Sequence, residues 1–322
     1  MRVIIPSWNG RHLLIECLNS LKLQTDSGFS ICVVDNGSTD GTVDWLRTEH
    51  PAVDVVSLSS NEGFSRAVNE GIRRVSDDVI ILLNNDTVAW PDWIEQCKKA
   101  IQEFPQFSIF SSKVLIHNSG GRIDTAGDAF TIAGFGYKRG WCEPGDGFDR
   151  VTEVFGASGC AMIIRRRVID AIGDFDDDFF AFGEDLDFCF RARLAGFRVG
   201  YYPPAVIEHR VRATALPRQT SFLYYRNLTW LILKNLPAGA LIRCLPHILA
   251  NNVLMFVRAC IRGEMMTYVR GIAAAMQGLG RMWKKRRKIQ STRVIDTKAV
   301  MALLERDWIG VHRRLHRANR DR

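Results

Sequence analysis

Val79-Ile80-Ile81-Leu82-Leu83-Asn84-Asn85-Asp86-Thr87 is the stretch on which the fold turns. Five apolar residues in a row give a strand buried on both faces, the pattern of a central parallel strand. Asn84, Asn85, Asp86 and Thr87 then place oxygen-bearing side chains at its carboxyl end, where open α/β sheets bind ligands. Pro91 suits a first helical turn, and Trp93, Ile94, Cys97 and Ile101 continue at helical spacing. Two readings of the polar residues stand side by side. As turn and cap residues they need no ligand. As a site, they offer Asp86 as the one protein carboxylate on a hard cation, Mg²⁺ or Mn²⁺, with substrate phosphates supplying other oxygens.

The preceding chain repeats the arrangement. Arg2 to Ile5 reads as a strand ended by the turn Pro6-Ser7-Trp8-Asn9-Gly10. Ser30 to Val34 reads as another, ended by Asp35-Asn36-Gly37-Ser38-Thr39-Asp40-Gly41-Thr42. Val53 to Leu58 is a third, and Asn61-Glu62-Gly63-Phe64 opens a helix through Ile72. Strands alternating with helices predict a mostly parallel sheet covered on both faces, with the polar loops converging on one edge. No Gly-x-Gly-x-x-Gly follows the first strand and no Walker loop is present, so a bound nucleotide would be held by carboxylates and a metal.

Downstream, 107–116 and 160–164 read as strands. Residues 117–150 read as a hairpin or mobile loop over the site. Phe197 to Tyr202 reads as an edge strand ended by Pro203-Pro204. Glu184 and Asp185 begin a helix behind Phe179-Phe180-Ala181-Phe182. Charge at a first helical turn is common, but four residues rich in aromatic rings form an apolar wall able to raise a carboxylate's pKa into a base's working range. His209 ends the run Val206-Ile207-Glu208 as Asp86 ends its own. A lone His is more often structural, yet this position adds weight to metal ligation.

The net charge of +8 is unevenly spread: residues 263–322 hold 15 Lys and Arg against 5 Asp and Glu, so the remainder is slightly acidic. From 210 to 263 there is no acid, and basic residues flank apolar runs. The longest uncharged run, 244–257, is shorter than the roughly 20 residues a bilayer span needs. Apolar stretches with basic flanks suit helices lying in a membrane interface, and Trp283-Lys284-Lys285-Arg286-Arg287-Lys288 suits anionic headgroups. An ordinary helical core is the other reading. Such a cluster also binds nucleic acid, but no helix-turn-helix, zinc or RNA-binding signature accompanies it. The eight cysteines show no Cys-x-x-Cys spacing and mostly lie in apolar segments, which fits a reducing compartment. Met1 to Pro6 enters a strand directly, so no signal peptide is expected.

Together these residues resemble the family 2 glycosyltransferases of GT-A fold, above all the bacterial rhamnosyltransferase-like branch that builds cell-surface polysaccharides. The likeness covers roughly residues 1–235. It is carried by Val-Asp-Asn-Gly-Ser-Thr-Asp-Gly at 34–41, Asn-Glu-Gly-Phe at 61–64, Asn-Asn-Asp-Thr at 84–87 and Gly-Glu-Asp-Leu-Asp-Phe at 183–188, with Tyr225-Arg226-Asn227 as a short motif before the C-terminal helices. The resemblance implies a Rossmann-like GT-A domain over 1–218 and a helical, basic, membrane-associating extension over 219–322. It implies that Pro6, Asp35, Asn61 and Gly63 line the nucleoside pocket, and that Asn85 and Asp86 lie at the diphosphate. Asp86 and His209 would hold a divalent cation, and Asp185, with Glu184 beside it, would be the catalytic base. Asn84 stands where many members carry Asp, and Arg210-Val211-Arg212 replaces a glycine-rich run.

The expected reaction is metal-dependent, inverting, one-sugar transfer from a nucleoside-diphosphate sugar, rhamnose being suggested by the branch. The acceptor would be a glycan, lipid-linked, at the cytoplasmic face of the plasma membrane. The processive synthases' Gln-x-x-Arg-Trp is lacking. Two alternatives come from other classes. A sugar nucleotidyltransferase should carry a basic, glycine-rich first loop, which 6–10 is not. An inactive membrane-docking module would not need Asp86 and Asp185.

Overall fold

The computed structural model describes residues 1–211 and 217–320. The chain opens with β1 (Arg2–Ser7), α1 (Arg11–Lys22), β2 (Ser30–Asp35), α2 (Thr42–Glu49), β3 (Asp54–Ser57), α3 (Phe64–Arg74) and β4 (Val79–Leu83). It continues through β5 (Thr87–Ala89), α4 (Trp93–Glu103), β6 (Ile109–Ile116), β7 (Ile123–Thr125), β8 (Asp128–Phe130), β9 (Gly136–Lys138) and β10 (Thr152–Val154). Then come β11 (Ala161–Arg165), α5 (Arg166–Ile172), α6 (Glu184–Leu194) and β12 (Val199–His209). The last part is helical: α7 (Pro217–Asn235), α8 (Ala238–Ile261), α9 (Met265–Gln277), α10 (Leu279–Ser291), α11 (Thr297–Leu303) and α12 (Trp308–Arg320).

The main sheet runs β10-β12-β6-β11-β4-β1-β2-β3. The run β4-β1-β2-β3 is parallel, as is β6-β12, whereas β11 lies antiparallel between β4 and β6. This is the α/β architecture that the alternation of strands and helices predicts. The five apolar residues of β4 are explained by the pleat, which sends successive side chains to opposite faces. Ile80 and Leu82 pack with Ala67, Val68 and Ile72 of α3 and with Phe188 of α6. Ile81 and Leu83 pack with Leu14, Cys17 and Leu18 of α1 and Trp93, Ile94 and Cys97 of α4.

Two local expectations are corrected. The strand after Phe197 does not end at Pro203-Pro204 and is not an edge. β12 is 11 residues long and is flanked by β10 and β6. Prolines lack the N–H a ladder needs, and the pairing register with β6 shifts between Tyr202 and Val206, so the two prolines sit in an irregularity that the sheet accommodates. Within 117–150 the hairpin reading holds: β8 and β9 pair as a two-stranded ribbon.

The C-terminal helices share a third apolar cluster with the sheet domain, in which Phe130, Phe155, Phe179 and Phe190 meet Tyr225, Leu228, Trp230, Leu231 and Val311. Buried ions reinforce that joint. The Lys234 ammonium, fully buried, meets Asp176 at 2.5 Å and Asp187 at 2.8 Å. Lys285 pairs with Asp176 and, at 2.8 Å, with Asp178. Arg286 is buried and donates to the Leu233 and Leu236 carbonyls. The basic cluster 284–288 is therefore not wholly a surface feature: Lys285 and Arg286 turn inward, and Lys284, Arg287 and Lys288 stay exposed beside Trp283.

Helix α8 also exceeds its uncharged run. Over 24 residues it is long and apolar enough, by length and composition, to cross a membrane. It buries Ala240, Cys244, Ile248, Asn251, Met255 and Ala259 along one stripe. Ile242, Leu249, Val253 and Ile261 face outward at 57–80% exposure.

Candidate active site

The parallel strands deliver their carboxyl ends to one edge, where a cleft of about 540 Å³ opens. Pro6 and Ser7 at the end of β1, Asn36 after β2, Asn61 and Gly63 before α3, and Asn84, Asn85 and Asp86 after β4 all line it. So do Glu184 and Asp185 of α6 and His209 at the end of β12. The sites proposed from sequence thus converge. Asp35 is buried at the end of β2, and its neighbour Asn36 lines the cleft. One Asp35 oxygen accepts from the Ser38 amide at 3.0 Å and the other has no partner.

Asn36 is the hinge of this corner. Its amide nitrogen donates to Asn61 Oδ1 (3.0 Å) and to the Gly63 carbonyl (3.1 Å), and its oxygen accepts from the Glu62 amide (2.9 Å). Asn85 donates to Ser7 Oγ at 3.0 Å. A Cβ on Gly10 would fall 2.4 Å from the Asn85 amide nitrogen, so the open side of β1's turn is needed to seat that side chain.

Asp86 and His209 are brought together by the sheet, since β5 pairs with β12 at Thr87↔His209. His209 Nε2 stands 3.3 Å from Asp86 Oδ1, an oxygen that is buried and has no hydrogen-bond partner. His209 Nδ1 lies 3.0 Å from Asp124 Oδ2. An ionised carboxylate only accepts, so Nδ1 carries the proton. Burial alone would raise the pKa of Asp124, but the Lys138 ammonium, at 2.8 Å from both oxygens, and His209 outweigh it and bring it down to about 2. Burial lowers the pKa of His209, while Cys160 and the two carboxylates raise it more, so the imidazole is held above its ordinary value.

These residues fit a divalent cation. Adjacent ligands of an octahedral Mg²⁺ or Mn²⁺, each at about 2.1 Å, stand about 3 Å apart, near the Asp86–His209 spacing. A metal-binding His commonly gives its second nitrogen to a carboxylate, as His209 does to Asp124. Among the described residues no cluster of three or more His, Cys, Asp or Glu makes a full cage, so a cation here would take its remaining oxygens from phosphate and water.

The other side of the cleft is carboxylic and apolar. Asp185 lies in the first turn of α6; its oxygens accept from the Gly159 amide at 3.1 Å and the Leu186 amide at 2.8 Å. Burial raises its pKa, with these backbone donors and Lys138 opposing. Glu184 is raised well above the carboxylate range by burial and by Asp185, and its Oε2 is buried without a partner. Asp187 is not available for chemistry: it is buried and held by Arg191 Nε (2.9 Å), Asn235 (2.7 Å) and Lys234 (2.8 Å).

Asp124, Asp128 and Lys138 are functional candidates that the sequence reading missed. Asp128, buried on β8, has its pKa pushed up to about 7 by burial and by Asp185, and it lines the cleft with Tyr137 and Lys138. Strands of three residues produce no periodicity, and the one available signal was the cluster of acids around Gly127 in a segment of expected hairpin. Arg210 pairs with Glu16 and holds Asp86's carbonyl through its own amide at 2.9 Å; Arg212 lies outside the described residues.

Residues 2–173 match the model of glycosyl transferase family 2. The chain is 25% identical over 252 residues, 69% of its length and 80% of the relative's, to N-acetylglucosaminyl-diphospho-decaprenol L-rhamnosyltransferase of Mycobacterium tuberculosis (strain CDC 1551 / Oshkosh). It is 24% identical over 215 residues, 65% of this chain and 66% of the other, to glycosyltransferase AglE of Haloferax volcanii. Among solved structures it is similar to S. aureus TarS, with TM-score 0.59 and 18% identity over 94% of this chain and 54% of that one. It is also similar to the mannosyltransferase PcManGT of Pyrobaculum calidifontis with GDP-Man and Mn²⁺, with TM-score 0.53 and 18% identity over 90% and 85% of the two chains.

Proposed function

The chain belongs to glycosyl transferase family 2, and we propose that within it the protein moves one sugar per encounter, with inversion, from a nucleoside-diphosphate sugar to a glycan hydroxyl. The observation that carries this reading is the single cleft in which the cation-fitting pair Asp86 and His209 faces the buried carboxylates of α6. The division into a GT-A unit over 1–218 and a helical extension over 219–322 is kept as part of it.

Pro6, Asp35, Asn61 and Gly63, with Asn36 beside them, form the nucleoside end of the proposed site, and Asn85 and Asp86 lie at the diphosphate. A divalent cation bound at Asp86 and His209 would neutralise charge on the departing diphosphate. Asp124 orients His209, and Lys138 keeps Asp124 ionised. Asp185 accepts the proton of the acceptor hydroxyl as that oxygen attacks the anomeric carbon from the face opposite the leaving group. Glu184, whose pKa is raised by burial and by Asp185, lies beside the base at the acceptor side of the cleft. No activated nucleophile is required.

The acceptor reading rests on the apolar far wall, Phe182, Leu223, Tyr224 and Leu231, on the similarity to an N-acetylglucosaminyl-diphospho-decaprenol L-rhamnosyltransferase, and on the exposed face of α8. A lipid-linked acceptor at the cytoplasmic membrane face, peripheral docking there, and rhamnose as the sugar are the finer parts of the proposal. The experiment is a panel of nucleoside-diphosphate sugars, dTDP-rhamnose included, offered with a polyprenyl-diphosphate-linked sugar and Mg²⁺ or Mn²⁺. Nucleoside diphosphate release from one donor, dependent on acceptor and cation, is expected. Release unchanged by exhaustive chelation overturns the cation's part, and transfer to a soluble glycan alone overturns the lipid-linked acceptor.

A further inference from the structure

Tyr225-Arg226-Asn227 takes no part in the chemistry above, yet α7 sets it against the segment that leads into α6. Asn227 is buried. Its Nδ2 donates to the carbonyls of Phe179 (2.9 Å), Ala181 (2.8 Å) and Phe182 (2.8 Å), so two N–H bonds serve three acceptors. Arg226 Nη2 donates to the carbonyls of Asp178 (3.0 Å) and Phe179 (2.8 Å), and its Nε donates to Asn227 Oδ1 at 2.9 Å. The guanidinium is itself seated over the Trp230 ring, 4.4 Å from the centroid.

The gathered segment is backbone that would not hold this shape unaided. Phe180 and Phe182 take φ of 64° and 71°, and Gly183 follows at 87°. Bulky residues enter the left-handed region only when their surroundings fix them there, and such positions cluster at functional sites. The segment also reaches the donor side. The Phe180 carbonyl accepts from the Ser65 amide at 3.2 Å, and a Cβ on Gly63 would fall 2.5 Å from that oxygen. Residues 179–183 are thus clasped between α7 and the nucleoside corner, and Glu184 and Asp185 come next in the chain.

We propose that Asn227 and Arg226 are positioning residues for the base: they fix 179–183 in the one backbone path that aims Asp185 into the cleft. The inference rests on the reading of Asp185 as base. It makes α7 part of the catalytic apparatus. Facing Asp185 are Glu184, Cys189 and the Leu186 amide on its own helix, and Asp128 on β8, Lys138 on β9 and the Gly159 amide from outside it; a shifted segment changes its distance to the outside groups.

The experiment compares Asn227→Ala, Asn227→Asp and Arg226→Lys with wild type and Asp185→Asn. Asn227→Asp keeps the shape but sets oxygens against three carbonyls. Fold is checked by thermal melting, donor-side binding by titration with the nucleoside diphosphate of the donor found in the panel, and turnover as a function of pH. Expected is a fall in kcat of roughly 10–100-fold, the scale of a misplaced reacting group, with nucleoside diphosphate affinity little changed and the acidic limb of kcat/KM displaced. Arg226→Lys, at a half-buried position, should show the same displacement in smaller measure and carries the test if the Asn227 variants do not fold. Wild-type kcat and an unmoved limb overturn the inference. If Asp185→Asn is itself as active as wild type, the base assignment fails instead.

Discussion

Asp86 Oδ1 is a buried carboxylate oxygen with no hydrogen-bond partner, and Asp124 already holds the far side of His209. Buried polar atoms are rarely left unpaired, and each exception calls for a reason. Beyond the His209 Nε2 contact at 3.3 Å, a cation bound between Asp86 and His209, as proposed, would supply one. Asp86→Ala and His209→Ala should therefore each weaken Mn²⁺ binding, read by calorimetry in the presence of nucleoside diphosphate, while thermal melting shows the fold intact. Asp185→Asn keeps shape but removes the carboxylate proposed as the proton acceptor. Transfer should fall roughly 10²–10⁴-fold, the usual worth of a positioned base. Because burial raises the pKa of Asp185, activity should decline as pH falls through that raised value. Burial and Asp185 together push the pKa of Asp128 up to about 7, so Asp185→Asn should lower it, read by NMR titration of the Asp128 carboxyl carbon; an unmoved Asp128 would separate the two groups. That Asp86, Asp185 and His209 stand at one cleft was legible in the sequence because each lies at an abrupt change of polarity. Asp124 and Lys138 were not, because their significance lies in a contact across 14 positions between two three-residue strands.

Among the elements, β4 and the helices that sandwich it were readable, since an uninterrupted apolar run has one solution in a doubly covered sheet. β12 was not. Two prolines ordinarily end a strand, and only the register shift against β6 lets this one run on to His209. Helix α8 was half legible: its apolar runs were plain, but which side is buried depends on its neighbours. Its outward residues Ile242, Leu249 and Val253 are the expected contact with lipid, and Lys284, Arg287 and Lys288 the expected contact with anionic headgroups. Three exposed charges at about 1 kcal/mol each give up to about 3 kcal/mol. Ile242→Glu with Val253→Glu should reduce co-sedimentation with anionic vesicles at all salt concentrations. Neutralising Lys284, Arg287 and Lys288 should reduce it chiefly at low salt. Wild-type protein that stays in the supernatant throughout would make α8 a protein-binding face.

At the scale of the whole molecule, sheet domain and C-terminal helices are joined by an apolar cluster and by Asp176, Asp187, Lys234 and Lys285. Taking one partner from a buried ion pair strands the other, at a cost of roughly 3–5 kcal/mol. Lys234→Met should therefore lower the thermal midpoint. Asp176, although burial opposes it, is held well below the usual carboxylate range by Lys234 and Lys285. A depressed folded pKa contributes stability that is present above the unfolded value of about 3.9 and lost as pH falls toward the folded one. Asp176→Asn should thus be less stable at neutral pH and lose less on acidification; equal acid sensitivity would contradict that. The joint also brings together the walls of the cleft: polar residues from the sheet edge, carboxylates from α6 and an apolar wall from α7. The proposed reaction is one displacement at the anomeric carbon. The most direct test is the one-bond C1–H1 coupling, by NMR, of the sugar newly linked to the acceptor, compared with that of the donor. The opposite anomeric configuration is expected; the donor's own configuration in the product would contradict single displacement with Asp185 as base.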